Sequence, residues 1–165
     1  DGYQSEIGLT ARAWTAGLGE WLAQGVALLI DYGFARSEFY HPQRARGTLM
    51  CHYRHRAHDD PFLWPGLADI TAHIDFSAIV DAGMAAGLDC LGYASQATFL
   101  INCGITDLLA ATSPEDAVRY LPLANQVQRL ISPAEMGDLF KVLVLGRGID
   151  APLRGFVRGD RSHVL

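Results

Sequence analysis

The sequence predicts an α/β fold, because apolar stretches of strand length alternate with stretches of helical periodicity. Three stretches have the composition and length of buried strands, namely residues 25–31, 89–93 and 140–145. Residues 8–23 repeat apolar side chains at intervals of three and four, as a helix that faces a core does. Three strands are too few for a doubly wound sheet, so we expect the remaining strands to precede residue 1.

The composition is that of one soluble globular domain, with 50% apolar and 19% charged residues in a chain of 165. A net charge of −5 argues against a nucleic-acid surface. The longest aliphatic run is far shorter than the ~20 residues of a membrane span. Three cysteines without a CxxC pair are typical of reduced thiols. We therefore expect a cytoplasmic location, or a mitochondrial one in a eukaryote. The chain begins without methionine, which suggests a piece of a longer protein.

The end of the first strand is the most informative feature of the chain. Gly25 ends the first helix, and the strand that follows closes with Asp31, Tyr32 and Gly33. In open α/β sheets, ligands bind beyond the carboxyl ends of the strands, so we expect Asp31 and Tyr32 to project into a ligand crevice. The alternative is a buried strand whose aspartate caps the following turn.

Residues 34–72 are rich in proline, glycine, histidine and arginine and show little periodicity. Their aromatic side chains argue against disorder, so we predict an ordered active-site loop with a short strand at residues 48–52. Segment 51–58 contains a cysteine and three histidines, a set that could hold zinc. The spacing matches no established zinc pattern, so we predict no metal site. We interpret the histidines as hydrogen-bonding or substrate-loop residues.

Side chains typical of helix boundaries mark the second half of the chain. The predicted helices run from Asp75 to about Ala86, from Ser95 to Gly104 and from Ser113 to about Ile131, and a short turn starts at Ser132. Pro122 is expected to kink the third of these helices. Residues after Gly148 show no convincing periodicity, so we treat residues 1–148 as one domain and 149–165 as a tail.

Several short motifs, in order and at compatible spacing, resemble the carboxy-terminal part of the MidA-like methyltransferases. That family includes the mitochondrial complex I assembly factor that methylates a protein arginine. The resemblance runs from residue 1 to about residue 148. The motifs are Gly2–Glu6, Asp31–Gly33, Gly47–Leu49, Cys51–His55, Pro65-Gly66, Asp69–Phe76, Gln96 with Phe99-Leu100, Gly104-Ile105, Met136-Gly137 and Phe140–Val142.

The resemblance implies a class I methyltransferase that uses S-adenosyl-L-methionine. In this fold the three strands would be the fifth, sixth and seventh of the sheet, and the last would run antiparallel. The glycine-rich cofactor loop and the acid that holds the cofactor ribose would precede residue 1. We therefore expect the cofactor to be bound by the full-length protein and this chain alone to be inactive.

The resemblance also implies a protein substrate with a target arginine. Carboxylates can orient a guanidinium and localise its charge away from the attacking nitrogen, and an aromatic ring can stack on it. The predicted catalytic residues are Glu6, Asp31, Tyr32, Asp69 and Asp75, and the predicted substrate-loop residues are His52, His55, His58, Thr71 and Gln96. We expect the four acids to cluster at one site.

Each predicted catalytic residue also has a structural interpretation. Asp75 could cap a helix, Asp69 could cap a turn, and Glu6 could interact with the dipole of the first helix. Tyr32 is expected to serve as an aromatic wall in preference to carrying a proton.

Two other classes of function stay open. The chain could be a non-catalytic assembly or interaction module with a vestigial methyltransferase fold, or part of a Rossmann-type oxidoreductase. The GxG pairs at Gly17 and Gly146 lack the strand–loop–helix context of a nucleotide site. An isolated chain would leave a sheet edge unpaired, so we expect it to self-associate.

Overall fold

The computed structural model describes residues 2–165, which form two β-sheets flanked by helices. The strands are β1 (Gly25–Phe34), β2 (Met50–Tyr53), β3 (Arg56–His58), β4 (Asp69–Thr71), β5 (Ile74–Asp75), β6 (Asp89–Ser95) and β7 (Phe140–Arg147). The α-helices are α1 (Leu9–Trp21), α2 (Arg36–Phe39), α3 (Phe76–Ala85), α4 (Gln96–Cys103), α5 (Ile105–Ala110) and α6 (Ala117–Ile131). The main sheet has the order β5-β1-β7-β6, and the small sheet has the order β3-β2-β4.

Strand β7 runs antiparallel to both β1 and β6, which confirms the predicted direction of the last strand. Strand β1 extends to Phe34, three residues past the predicted end, because Gly33 and Phe34 pair in parallel with β5. A β-carbon on Gly33 would lie 2.2 Å from the Ile74 carbonyl oxygen, so glycine permits this close pairing. Asp31 therefore lies within the strand and not beyond its end.

Apolar side chains cover one face of the main sheet and the β6–β7 part of the other. One face packs against α1 and α3 through a cluster that includes Leu18, Phe76, Tyr93 and Leu143. On the other face, Phe156 packs with Ala94, Val142 and Val144. Residues 149–165 contain two short 3₁₀ helices, and they contribute Phe156 to the core as well as Leu153, Val164 and Leu165 around it.

The long loop is ordered and contains three strands, where the sequence predicts one. Strands β2 and β3 form a hairpin whose turn residues, Arg54 and His55, adopt left-handed φ angles of 47° and 64°. Left-handed backbone at both turn positions matches the right-handed twist of a two-residue hairpin. The three strands are short and carry polar side chains, which explains why their periodicity was too weak to predict.

The predicted caps of two helices are confirmed. The Asp75 carboxylate accepts a hydrogen bond from Ala78 N at 3.1 Å at the start of α3, and the Ser95 hydroxyl accepts one from Thr98 N at 3.3 Å at the start of α4. Gly104 ends α4 in the left-handed conformation, with φ of 93°. These signals depend on contacts within one helical turn, so the sequence alone is enough to predict them.

The helix boundaries after Gly104 differ from prediction. Helix α5 was not predicted. Gly104 is both the C-terminal cap of α4 and the N-terminal cap of α5. Helix α6 is capped by Asp116, which accepts from Arg119 N at 3.3 Å, and not by Ser113. The hydroxyl of Ser113 accepts from Glu115 N within a preceding turn. The short turn predicted at Ser132 is present, because residues 133–139 form turns and Glu135 N donates to the Ser132 carbonyl at 3.1 Å.

The three cysteines are free. Within residues 2–165, no helix is both long enough and apolar enough to cross a membrane.

Candidate functional site

A cleft of about 440 Å³ opens at the end of β1, and residues of both sheets line it. We call it the loop cleft. It brings together four residues predicted from the sequence, Tyr32, His52, Asp69 and Thr71. The remaining lining residues are Thr48, Met50, His73 and Leu139. Asp69 is the one carboxylate among these eight residues.

The pairing of β2 with β4 explains why these side chains share the cleft. His52 pairs with Asp69, and Met50 pairs with Thr71, in antiparallel register. Paired residues lie on the same face of a sheet, as do residues two apart along a strand. The Thr71 hydroxyl also donates to the Met50 carbonyl at 3.2 Å. One face of the small sheet therefore presents an imidazole, a carboxylate and a hydroxyl to the cleft.

An aromatic wall closes the side of the cleft next to β1. The Tyr32 ring meets the His73 ring edge to face, with 5.2 Å between centroids, and meets Phe140 at 5.6 Å. The His73 ring stacks on Phe34 at 5.0 Å with an angle of 26°. The guanidinium of Arg44 lies 3.8 Å from the centroid of Phe34, so the side of this ring system away from Tyr32 carries a cation.

His73 is held in an environment that favours its neutral form. Burial lowers the pKa of the imidazole, and the nearby cations of Arg44 and Lys141 lower it further, while Glu6 and Asp31 act in the opposite direction. Its Nδ1 atom is buried without a hydrogen-bond partner among the described residues. A neutral ring at this position adds no positive charge to the loop cleft.

The Glu6 carboxylate anchors the beginning of the small sheet. Its Oε1 accepts hydrogen bonds from the backbone N–H groups of Thr48 and Leu49 at 2.7 and 2.6 Å. The Thr48 hydroxyl donates to its Oε2 at 3.3 Å. Since both oxygens are engaged by the loop and Glu6 does not line the loop cleft, we interpret Glu6 as an anchor in place of the predicted catalytic acid.

Asp75 faces a second cavity of about 310 Å³, which it shares with Glu6, Arg12, Tyr40 and His73. One of its oxygens caps α3, as described above. Burial raises the pKa of the Tyr40 hydroxyl, and the charge of Asp75 raises it further. His73 lines both this cavity and the loop cleft, so the two cavities adjoin at this residue.

Asp31 lies on a third cavity, which is lined by apolar side chains that include Trp14, Leu28 and Ile30. Its Oδ1 accepts a hydrogen bond from Tyr32 N at 2.8 Å. Asp31, Asp69 and Asp75 therefore line three different cavities. The four predicted acids are therefore distributed over three cavities, and Glu6 shares the second of them with Asp75.

Three predicted substrate-loop residues lie outside the loop cleft. His55 is exposed at the turn of the hairpin, and the His58 ring packs edge to face against Trp64 at 6.0 Å. Gln96 is buried at the start of α4, where its amide nitrogen donates to the Leu130 carbonyl at 2.9 Å. This contact joins α4 to α6, and it gives Gln96 a structural role distant in the fold from the small sheet.

Sequence interpretation missed Thr48 and His73. A usable signal was present, because polar side chains recur at every second residue through Asp69, Thr71, His73 and Asp75. Alternation of this kind predicts an extended segment with one polar face. Within residues 2–165, no group of three or more histidine, cysteine, aspartate or glutamate side chains is arranged to hold a metal ion.

Neither GxG pair of the sequence lies in a loop between a strand and an α-helix. The glycine pair at Gly17 and Gly19 lies inside α1, where a β-carbon on Gly19 would meet the Ala86 carbonyl oxygen at 2.4 Å. Gly146 lies in β7, and a β-carbon there would meet Leu91 at 2.5 Å. Both pairs serve helix and strand packing, so no phosphate- or nucleoside-binding loop is assigned to them.

The fold closely matches a solved structure. A Burkholderia thailandensis protein crystallised with S-adenosyl-homocysteine superposes with a TM-score of 0.96 at 61% sequence identity, and the match covers 100% of this chain and 43% of that one. The sheet order, the antiparallel last strand and this superposition define the class of the fold, which is that of a class I methyltransferase.

Residues 1–94 match a family model described as "Putative S-adenosyl-L-methionine-dependent methyltransferase". The chain belongs to this family, the MidA-like methyltransferases, which confirms the resemblance seen in the sequence motifs.

Curated relatives share the same region. The human protein arginine methyltransferase NDUFAF7, mitochondrial, is 35% identical over 128 residues, and the Drosophila melanogaster homolog is 31% identical over 130 residues. These matches cover 75% and 76% of this chain but only 26% and 27% of the relatives. The chain thus spans about a quarter of the length of the curated relatives it matches.

Proposed function

We propose that the whole protein to which this chain belongs transfers a methyl group from S-adenosyl-L-methionine to an arginine side chain of a protein substrate. In this proposal the loop cleft binds and orients the guanidinium. The observation that carries it is the convergence of Tyr32, His52, Asp69 and Thr71 on one cleft at the end of β1. The names of the curated relatives support arginine as the target. We further propose a cytoplasmic location in a bacterium and a mitochondrial one in a eukaryote.

The chemistry of the cleft suits a guanidinium. An arginine side chain is a poor nucleophile, because its positive charge is delocalised and its pKa lies above about 12. A carboxylate that pairs with two of its nitrogens fixes the plane of the group and draws charge away from the third. We assign this role to Asp69 and the stacking of the guanidinium to the Tyr32 ring, since both side chains belong to residues that line the loop cleft.

The cofactor supplies the electrophilic methyl group, and this chain supplies binding and orientation. Thr71 and His52 add a hydroxyl and an imidazole beside Asp69. Asp75 and Asp31 face neighbouring cavities, so we assign them supporting roles, at the cap of α3 and at the end of β1. Alignment of the nucleophile with the methyl group is the main task left to the protein.

The test uses the full-length protein, methyl-labelled S-adenosyl-L-methionine and an arginine-containing peptide. Asp69→Asn should lower kcat/KM by about tenfold to a hundredfold, because it removes a charge-assisted hydrogen bond. Asp150→Asn is the matched control, since Asp150 is exposed and lies in the tail. Mass spectrometry of the product should place the label on arginine. A label on another residue type, or an unaffected Asp69→Asn variant, would contradict the proposal.

A second candidate is an interaction module without catalysis. Exposed apolar side chains of the long loop favour it, with Phe62 84% and Leu67 67% exposed. Calorimetric titration of S-adenosyl-homocysteine into the full-length protein separates the two functions. Binding supports the methyltransferase, whereas no binding to the full-length protein supports the interaction module.

A further inference from the structure

Thr48 joins three separate segments of the chain at the loop cleft. Its backbone N–H and its hydroxyl both donate to Glu6, at 2.7 and 3.3 Å. The same hydroxyl oxygen accepts a hydrogen bond from the backbone N–H of His73 at 3.0 Å. One side chain therefore ties the segment before α1 and the start of the small sheet to the connection between β4 and β5.

The local backbone is built for this contact. Gly47 has a φ of 74°, a conformation that favours glycine, and a β-carbon there would lie 2.4 Å from Glu6 Oε1. Glycine thus lets the Glu6 carboxylate approach the backbone closely enough to accept from both Thr48 and Leu49. The carboxylate then fixes the direction of the Thr48 hydroxyl.

The residue that Thr48 holds is central to the cleft wall. The His73 ring contacts Tyr32 and Phe34, and His73 lines both the loop cleft and the neighbouring cavity. Two residues before His73 lies Thr71, and two before that lies Asp69, both on the same extended segment. A shift of the His73 backbone would therefore move the carboxylate that is proposed to orient the substrate.

We infer that Thr48 is a positioning residue of the loop cleft, which acts through His73 and is itself held by Glu6. This inference rests on the proposed function for the identity of the substrate. Valine has nearly the shape of threonine but no hydroxyl, so Thr48→Val leaves the His73 N–H without an acceptor. Serine keeps the hydroxyl and loses only the methyl group.

The first experiment compares steady-state methylation of an arginine peptide by the full-length protein and its variants. We expect Thr48→Val to lower kcat/KM about tenfold, mainly through a higher KM for the peptide, and Thr48→Ser to stay within about threefold of the parent. Thr10→Val, at an exposed position of α1, is the matched control. The affinity for S-adenosyl-homocysteine, measured by calorimetry, should be unchanged in Thr48→Val. Wild-type kcat/KM in a folded Thr48→Val variant would overturn the inference.

A double-mutant cycle tests the link to Glu6. Glu6→Gln should reduce kcat/KM in the same direction, and the loss in the double variant with Thr48→Val should be smaller than the product of the single losses. Independent effects would show that Thr48 does not act with Glu6. If Thr48→Val does not fold, Thr48→Ala, which also removes the hydroxyl, takes its place in the cycle.

Amide hydrogen exchange gives a measurement that does not depend on catalysis. The His73 N–H should exchange at least about tenfold faster in Thr48→Val than in the parent, and the amides of α6 should not change. Unchanged protection of His73 would overturn the inference, even if no peptide is methylated. Faster exchange without any arginine methylation would instead contradict only the proposed function.

Discussion

The two outer edges of the main sheet are completed differently. At the β6 edge, Tyr93 N donates to Asp160 Oδ1 at 2.9 Å, and the Tyr93 carbonyl accepts from Arg161 N at 2.7 Å. At the β1 edge, the only strand pairing within residues 2–165 is with β5, at Gly33 and Phe34. The C-terminal segment thus satisfies backbone groups of β6, whereas most of the outer edge of β1 remains available for pairing.

The same contrast appears on one face of the sheet. Leu28 pairs with Val144, and Ile30 pairs with Val142, so these four side chains share a face. Val142 and Val144 are no more than 1% exposed beneath Phe156, whereas Leu28 and Ile30 are 46% and 48% exposed. On this face, burial follows the packing of Phe156 and its neighbours over β7, and not the hydrophobicity of the strands alone.

Removing the Phe156 side chain, which covers Val142 and Val144, should have the largest effect on stability. We expect Phe156→Ala to lower the free energy of unfolding by about 3–5 kcal/mol, because it leaves a cavity over Val142 and Val144. Urea denaturation measures the change. The neighbouring Val157 is 62% exposed, so Val157→Ala should cost less than about 0.5 kcal/mol. Equal effects of the two variants would show that packing of the tail over Val142 and Val144 does not stabilise the fold.

Removing the Asp160 carboxylate, which accepts a hydrogen bond from the edge strand β6, should have a smaller effect on stability. Asp160→Ala leaves the Tyr93 N–H without its acceptor, and we expect a loss of about 1–3 kcal/mol in the free energy of unfolding. Amide exchange at Tyr93 should accelerate in parallel. Asp150→Ala, at an exposed tail position without this contact, should be near neutral. An unchanged Tyr93 amide would mean that the edge is protected by other groups.

These contrasts explain which parts of the fold could be predicted from the sequence. The caps at Asp75 and Ser95 were predicted because they depend on residues within one helical turn. The end of β1 was placed too early because its last two pairings, Gly33 with Ile74 and Phe34 with Asp75, each join residues 41 positions apart. The packing of Phe156 on β7 was not predicted for the same reason, since no periodicity marks a tail that folds back as single turns.

The candidate site shows the same limit. Asp69 and Thr71 were identified from a family-like motif, and short-range alternation explains why they face one cleft. The anchor formed by Glu6 and Thr48 spans 42 positions, and no local pattern connects the two residues. His73 was not predicted as a site residue, although it belongs to the alternating polar residues from Asp69 to Asp75.

The exposed side chains of β1, Leu28 and Ile30, provide the prediction with the smallest expected effect on stability. Leu28→Lys with Ile30→Lys should change the free energy of unfolding by less than about 0.5 kcal/mol, because both side chains are about half exposed. We expect the same pair to reduce self-association of the 165-residue chain, since lysine on an exposed strand face opposes edge-to-edge pairing. Sedimentation velocity measures the change.

The control for this prediction lies on a different surface. Val118 on α6 is 86% exposed, so Val118→Lys removes an apolar side chain of similar accessibility away from the sheet. If association falls only in the Leu28→Lys, Ile30→Lys variant, the chain associates through β1. The difference between the two edges of the sheet then also determines how the chain behaves in solution. If both variants reduce association equally, the effect is not specific to the β1 face and reflects a general loss of exposed apolar surface or a gain of charge.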